Sequence, residues 1–243
     1  MIKRCIWAEL MKLRHSRIWM ILAVLPVISV LIGCGNYYMN RSVLTKGWYS
    51  LWSQVCLFYG EFFLPVLTAI LCAYMWRLEH LNKNWNMIMT VPVPAAGIFL
   101  AKLAVVGFLL LFVQIFLFIL YFLSGRLAGL DPGLPGELPG WLIRGWLASV
   151  TIGSFQLVLS MRIRSFAAPV GIGLCAVFIG LGMYVFRLGL FFPHSLLTVG
   201  MGVLSQTGLS PGENILFFAM CLFYMVADSI GAIYLLQKSD TMA

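Results

Sequence analysis

Residues Gly97–Leu123 read GIFLAKLAVVGFLLLFVQIFLFILYFL, an apolar run interrupted by a single charge at Lys102. A helix needs about 20 apolar residues to cross the hydrocarbon core of a bilayer, so this run is long enough. The run is continuous rather than alternating, which favours a helix over a barrel strand. Because backbone polar groups in lipid must pair internally, the stretch predicts a membrane-spanning α-helix.

The composition of the whole chain agrees with this prediction. Of the 243 residues, 62% are hydrophobic and 10% are charged, whereas soluble domains are about half apolar and a quarter charged. The formal net charge is +8, and the basic residues cluster beside apolar runs. That arrangement is typical of topology signals and lipid headgroup contact, so we expect no nucleic-acid partner.

Six runs reach spanning length, and we predict one all-α transmembrane permease domain over residues 1–243. The predicted spans cover residues 18–35, 54–76, 97–123, 141–161, 167–187 and 215–236. Most of the 16 lysines and arginines lie before the first span, between the second and third, and between the fourth and fifth. The positive-inside rule therefore predicts that both termini are cytoplasmic.

The N-terminal residues 1–17 are amphipathic and too charged to span a membrane. Ile2, Ile6, Leu10 and Leu13 share one helical face, with basic residues around the rest. This pattern favours a helix lying in the membrane interface over an ordinary basic flank of the first span.

The loop after the second span is also amphipathic. Its apolar residues recur at helical spacing, and they are Leu78, Leu81, Trp85 and Ile88. Pro92 and Pro94 follow and end the predicted helix. An apolar stripe with an exposed tryptophan is typical of a partner-binding surface. The alternative is that this helix lies on the lipid headgroups.

Four features of this region resemble the permease subunits of ABC-2-type transporters. They are Glu79, the motif Asn82-Lys83-Asn84-Trp85, the step Thr90-Val91-Pro92 and Lys102. More narrowly, the chain is similar to lantibiotic-immunity permeases, which expel antimicrobial peptides. Phe192-Pro193 in the last outer loop adds to this likeness, whereas the following His194 departs from the pattern.

The resemblance implies a fold like that of type V ABC exporters in a bacterial cell membrane. It also implies a coupling helix that docks on a cytoplasmic ABC ATPase dimer, formed by Leu78, Glu79, Leu81, Trp85 and Ile88. A second permease, identical or different, completes the transporter, and an amphipathic peptide is the expected substrate. ATP and Mg are then expected on the partner ATPase, with no cofactor on this chain.

Sequence motifs for chemistry are missing from the chain. No lysine follows a glycine, so the chain lacks a phosphate-binding P-loop, and neither HExxH nor GxSxG occurs. The three histidines are far apart, and no cysteines form a CxxC pair. We therefore predict a non-catalytic subunit with no catalytic residue and no metal site.

Two acidic residues lie inside predicted spans, Glu61 in the second and Asp228 in the sixth. A charge at bilayer depth is costly, so both should face protein or water. Glu61 either contacts a cationic peptide or partner helix, or is protonated or paired with a neighbour such as Gln54. Asp228 is expected to be a structural hydrogen-bond partner. His194 is a second candidate for a substrate or partner contact.

Other functions stay open at this point. The first is an ABC-2 permease for a different cargo, such as a small drug or a lipid-linked glycan. The second is a membrane enzyme acting on lipids, which would need a polar catalytic cluster. The third is a secondary transporter, which would need inverted repeats and broken helices near the membrane midplane.

Overall fold

The computed structural model describes residues 2–81, 93–205 and 208–240, and all the regular secondary structure in these ranges is helical. Six helices there are long and apolar enough to cross a membrane. They are Ile18–Met39, Trp48–His80, Ala95–Leu127, Leu138–Arg162, Ala167–Val185 and Pro211–Lys238. The predicted all-α membrane fold with six spans is confirmed.

We label the helices in chain order. They are α1 (Ile2–Leu13), α2 (Ile18–Met39), α3 (Trp48–Phe58), α4 (Leu64–His80), α5 (Ala95–Leu127), α6 (Leu138–Arg162), α7 (Ala167–Val185), α8 (Pro193–Gly200) and α9 (Pro211–Asp240). A π-helix, Tyr59–Phe63, joins α3 to α4 without a break, so both belong to the second span.

The spanning helices run beyond several of the predicted boundaries. The second begins at Trp48 rather than at residue 54 and continues to His80, and α5 continues to Leu127. The predicted bounds followed the apolar residues, whereas a helix continues through polar residues until its backbone ladder is interrupted. Beyond α5 that interruption is Gly129, whose φ of 78° cannot extend a right-handed helix.

The π-helix has a local cause in Pro65. Proline lacks an N–H, and its ring clashes with the carbonyl one turn earlier in a regular helix. A π-type hydrogen bond, between residues five apart in sequence, relieves this conflict. Here the Leu64 N–H donates to the Tyr59 carbonyl. The wider turn contains Glu61, whose side chain is buried in the bundle.

The segment between α7 and α9 contains the short helix α8. This helix packs against α6 and α7 inside the bundle. Its apolar residues Leu196 and Leu197 are fully buried. Burial against protein satisfies these side chains better than a half-exposed position at the interface.

Aromatic residues fill the end of the core where α3 begins. The Trp52 and Trp141 rings stack with centroids 5.3 Å apart, and Trp52 Nε1 donates to the Met201 carbonyl at 2.9 Å. The Trp48 ring lies so close to Gly125 that a Cβ there would come within 2.1 Å of it. This end of the molecule is therefore tightly packed around indole rings.

Candidate functional site

Four charged side chains meet at the end of the bundle where α1 packs against α5. Lys102 Nζ lies 2.7 Å from Glu9 Oε2 and 2.9 Å from Glu79 Oε1. Lys12 Nζ lies 2.7 Å from Glu9 Oε1 and 2.6 Å from the same Glu79 oxygen. We call these four residues the ion cluster. It joins α1, the last turn of α4 and the first turns of α5.

The ion cluster is largely closed to solvent. The Lys102 side chain is 0% exposed and that of Glu79 is 3% exposed, whereas Lys12 is 37% exposed. Two ammonium groups balance two carboxylates, which is the condition under which buried charges are tolerated. Lys102 Nζ also lies 4.9 Å from the centre of the Trp76 ring, a cation–π distance.

Charge pairing also acts on Lys12, the exposed member of the cluster. Partial burial of its ammonium group lowers the pKa, but the Glu9 and Glu79 carboxylates outweigh that effect and raise it above 10.5. Lys12 therefore stays charged throughout the physiological range. As a result, α1 remains tied to Glu79 at every pH the cell meets.

The cluster brackets the segment that the sequence predicts as a coupling helix. Glu79 is the next-to-last residue of α4, and Lys102 lies in the second turn of α5. Residues 82–92, between these two helices, lie outside the described part of the chain. The two helices on either side of that segment are therefore joined by one buried set of ion pairs.

The structure separates the five predicted coupling residues. Leu78 and Glu79 belong to the last turn of α4, which ends at His80. Leu81 follows in an extended conformation. Leu81 is 47% exposed, whereas Glu79 is buried in the ion cluster and presents no docking surface. Trp85 and Ile88 lie outside the described residues.

Sequence reasoning missed Glu9 and Lys12 as cluster members. A signal for Glu9 was present, since it lies on the same face of α1 as Ile6 and Leu13, where an acidic residue needs a partner. The lone charge of Lys102 inside an apolar run was the matching signal. One sequence could not show that these two residues face each other.

Two predicted site residues, Glu61 and His194, lie close to or on α8. The Glu61 carboxyl lies close to the Thr198 side chain, and its Oε1 has no hydrogen-bond partner among the described residues. His194 lies one turn before Thr198, packs against the Phe155 and Phe192 rings, and has neither ring nitrogen hydrogen-bonded within the described chain. Burial lowers the pKa of His194 to about 4, so the imidazole is neutral.

Glu61 and His194 are both buried in this conformation, each about 4% exposed, so neither reaches a substrate without movement of α8. Asp228 on α9 accepts a hydrogen bond from the Ser154 hydroxyl at 2.7 Å. That contact pairs the acidic residue with α6 and gives it a partner inside the bundle.

Six apolar spans with a charge-balanced cluster at one end make the chain a multi-pass membrane protein. Residues 5–180 match the family described as ABC-2 family transporter protein. The chain belongs to this family, and the matched region contains all four residues of the ion cluster. No curated protein gives a significant match.

Family membership makes the chain the membrane component of an ABC transporter, which associates with an ABC ATPase. The secondary-transporter and lipid-enzyme alternatives lose their support, because neither belongs to this family. The cargo is a separate question, since a transporter fold can carry many substrates.

Proposed function

We propose that the chain is the non-catalytic membrane subunit of an ATP-driven exporter, in which the ion cluster transmits movement from the ATPase to the spans. The observation that carries this proposal is the position of Glu79 and Lys102. They flank residues 82–92, the predicted coupling segment, and are paired with each other in a buried site.

Buried ion pairs of this kind give a stiff connection. Separating Glu79 from Lys102 would leave charges in a water-poor interior, which costs several kcal/mol. A force on residues 82–92 therefore moves α4 and α5 as one body instead of parting them. The Glu9 and Lys12 contacts extend the same connection to α1.

The proposed assembly has two permeases, identical or different, over one ATPase dimer that binds ATP and Mg. Both termini of this chain are then cytoplasmic, and the membrane is a bacterial cell membrane. The bias of lysine and arginine toward one set of loops supports this orientation. ATP binding by the dimer moves the coupling segment, and the spans respond.

The proposed cargo is a membrane-active antimicrobial peptide such as a lantibiotic, expelled for self-protection or resistance. The resemblance through Glu79, Asn82-Lys83-Asn84-Trp85 and Thr90-Val91-Pro92 supports this choice. Movement of α8 away from the π-helix Tyr59–Phe63 would uncover Glu61, whose carboxylate suits the basic side chains of such peptides. His194 would be uncovered by the same movement.

Co-purification tests the coupling role. The tagged chain is expressed with its ATPase and purified in mild detergent, alongside Trp85→Ala. The matched control is Phe186→Ala, which also removes an exposed aromatic residue. Phe186 follows the C-terminus of α7, far in sequence from the predicted coupling segment. We expect stoichiometric ATPase with the wild type and the control, and a loss with Trp85→Ala. Equal recovery in all three would reject the docking role of Trp85.

Peptide tolerance tests the cargo. Cells that express the complete transporter should survive higher concentrations of a lantibiotic than cells with Trp85→Ala. A normal peptide response combined with loss of tolerance to a small drug, or with a defect in surface glycan, would identify one of the alternative cargoes instead.

A further inference from the structure

A basic cavity of 450 Å³ opens at the end of the bundle that carries the ion cluster. It lies between the end of α4, the connection from α6 to α7 and the first turn of α7. Its polar lining includes Arg77, His80, Arg164 and Ser165, and its apolar lining includes Phe166. The cavity shares no residue with the ion cluster.

The two arginines of this cavity are not neutralised within the described chain. Both are exposed, and neither has a carboxylate at ion-pairing distance among the described side chains. Residues 82–92, which follow α4, read NKNWNMIMTVP and add no acidic residue. The Arg77 guanidinium lies 5.5 Å from the centre of the Phe166 ring, which fixes its direction without cancelling its charge.

The first turn of α7 adds to the positive potential. This helix has 19 residues, and the Ala168 N–H in its first turn donates a long hydrogen bond to Ser165 Oγ at 3.4 Å. The dipole of the helix places partial positive charge at this N-terminus, which favours an anion. Two arginine forks and a helix N-terminus facing one cavity are the elements that bind a phosphate group.

Below the cavity, two apolar stripes lead into the membrane. On α7 the exposed residues Gly171, Leu174 and Phe178 follow the cavity residue Ala167 at helical spacing. A Cβ on Gly171 would meet no atom within 4 Å, so this part of the stripe is an open recess. On the neighbouring α4, the half-buried Tyr74 and Ile70 precede Arg77 at helical spacing and form the second stripe.

The two stripes meet lower in the membrane. There the rings of Phe62 and Phe178 are in edge contact, with centroids 6.0 Å apart. The result is a groove between α4 and α7 with a basic cavity at its upper end.

We propose that this cavity and groove bind one anionic phospholipid, with its phosphate at Arg77 and Arg164 and an acyl chain along Gly171. The charge favours an anionic over a zwitterionic headgroup. The apolar groove that begins at the cavity favours a lipid over a free anion or an acidic protein side chain. The chain alone contains every group that this site needs.

The test uses the purified permease without its ATPase, so that an acidic ATPase residue cannot take part. Binding of dioleoylphosphatidylglycerol and dioleoylphosphatidylcholine is titrated by native mass spectrometry for the wild type, Arg77→Gln/Arg164→Gln and Gly171→Leu. The matched control is Arg126→Gln/Arg187→Gln, which removes the same charge from exposed positions outside the cavity. Arg164→Gln alone is included because it disturbs no ring contact.

The wild type and the control should bind one phosphatidylglycerol in preference to phosphatidylcholine. Each basic side chain near a membrane surface contributes about 1 kcal/mol to anionic-lipid binding, so the double variant should bind about 30-fold and Arg164→Gln about 5-fold more weakly. Gly171→Leu should weaken binding with all charges intact. Equal binding by the wild type and the double variant would overturn the proposal. Full binding by Gly171→Leu would also overturn it, because the cavity would then hold an anion without its acyl chain.

Discussion

Replacing Lys102 with methionine removes the fully buried ammonium group from the ion cluster while keeping a side chain of similar length. The variant leaves the Glu9 and Glu79 carboxylates with Lys12 as their cation. Two negative charges then face one positive charge, and Lys12 is partly exposed to solvent. The cluster acquires an uncompensated buried carboxylate.

The structure sets the scale of this effect. Lys102 makes two short ion pairs, at 2.7 and 2.9 Å, and has no exposed surface. Removing one partner from a buried ion pair costs about 3–5 kcal/mol, because the remaining charge stays desolvated. We therefore expect the free energy of unfolding to fall by about this amount in Lys102→Met.

A second substitution should restore part of the loss. In Lys102→Met/Glu79→Met, the pair Glu9–Lys12 remains at 2.7 Å and the cluster is again neutral. Contacting residues of one ion network are non-additive by about 0.5–3 kcal/mol, so the double variant should be clearly more stable than the sum of the two single variants.

The assay is unfolding of the purified protein by sodium dodecyl sulfate in mixed micelles, followed by tryptophan fluorescence. Lys46→Met, which removes an exposed lysine between α2 and α3, is the control and should unfold like the wild type. A change below about 1 kcal/mol in Lys102→Met, or strict additivity in the double variant, would refute the description of the cluster as a closed ion network.

Two further predictions concern packing and pH. Gly125→Ala should lose about 1–3 kcal/mol of stability in the same assay, because its Cβ would meet the Trp48 ring at 2.1 Å. The control Gly182→Ala should not change stability, because a Cβ there would meet no atom within 4 Å. Burial lowers the pKa of His194 from its ordinary value of 6.5 to about 4 in the folded protein. Between pH 4 and pH 6.5 the unfolded chain therefore binds more protons than the folded one. The wild type should therefore lose up to about 3 kcal/mol as pH falls from 6.5 to 4. That loss should be absent in His194→Phe, and equal pH profiles would contradict the burial of the imidazole.

Much of the fold could be predicted from the sequence because a bilayer leaves few alternatives. A run such as Gly97–Leu123 has to be a helix in lipid, and six such runs give six spans. Helix ends were less predictable, since polar residues such as Arg126 continue a helix as long as no glycine or proline interrupts it. The π-helix before Pro65 was not predicted either, because a proline in a membrane helix indicates a kink but does not specify the hydrogen bonds around it.

The candidate site was predicted only in part, for a physical reason. Glu79 and Lys102 could be found one at a time as unusual charges, but their pairing depends on how α4 and α5 meet in space. The contribution of α1 depends on which of its faces turns inward. Its basic and apolar residues suit both an interfacial helix and a packed one, and the structure places Glu9 and Leu13 inward and Trp7 outward.

Coupling of the ATPase to transport through the ion cluster can be tested with the neutral variant Lys102→Met/Glu79→Met. The complete transporter is assembled with this variant, and ATPase recovery, ATP hydrolysis and tolerance to a lantibiotic are measured together against the wild type. If the cluster couples the two, the ATPase still co-purifies and hydrolyses ATP, while peptide tolerance falls to the level of cells that lack the transporter. Wild-type tolerance in a folded, ATPase-bound variant would contradict it.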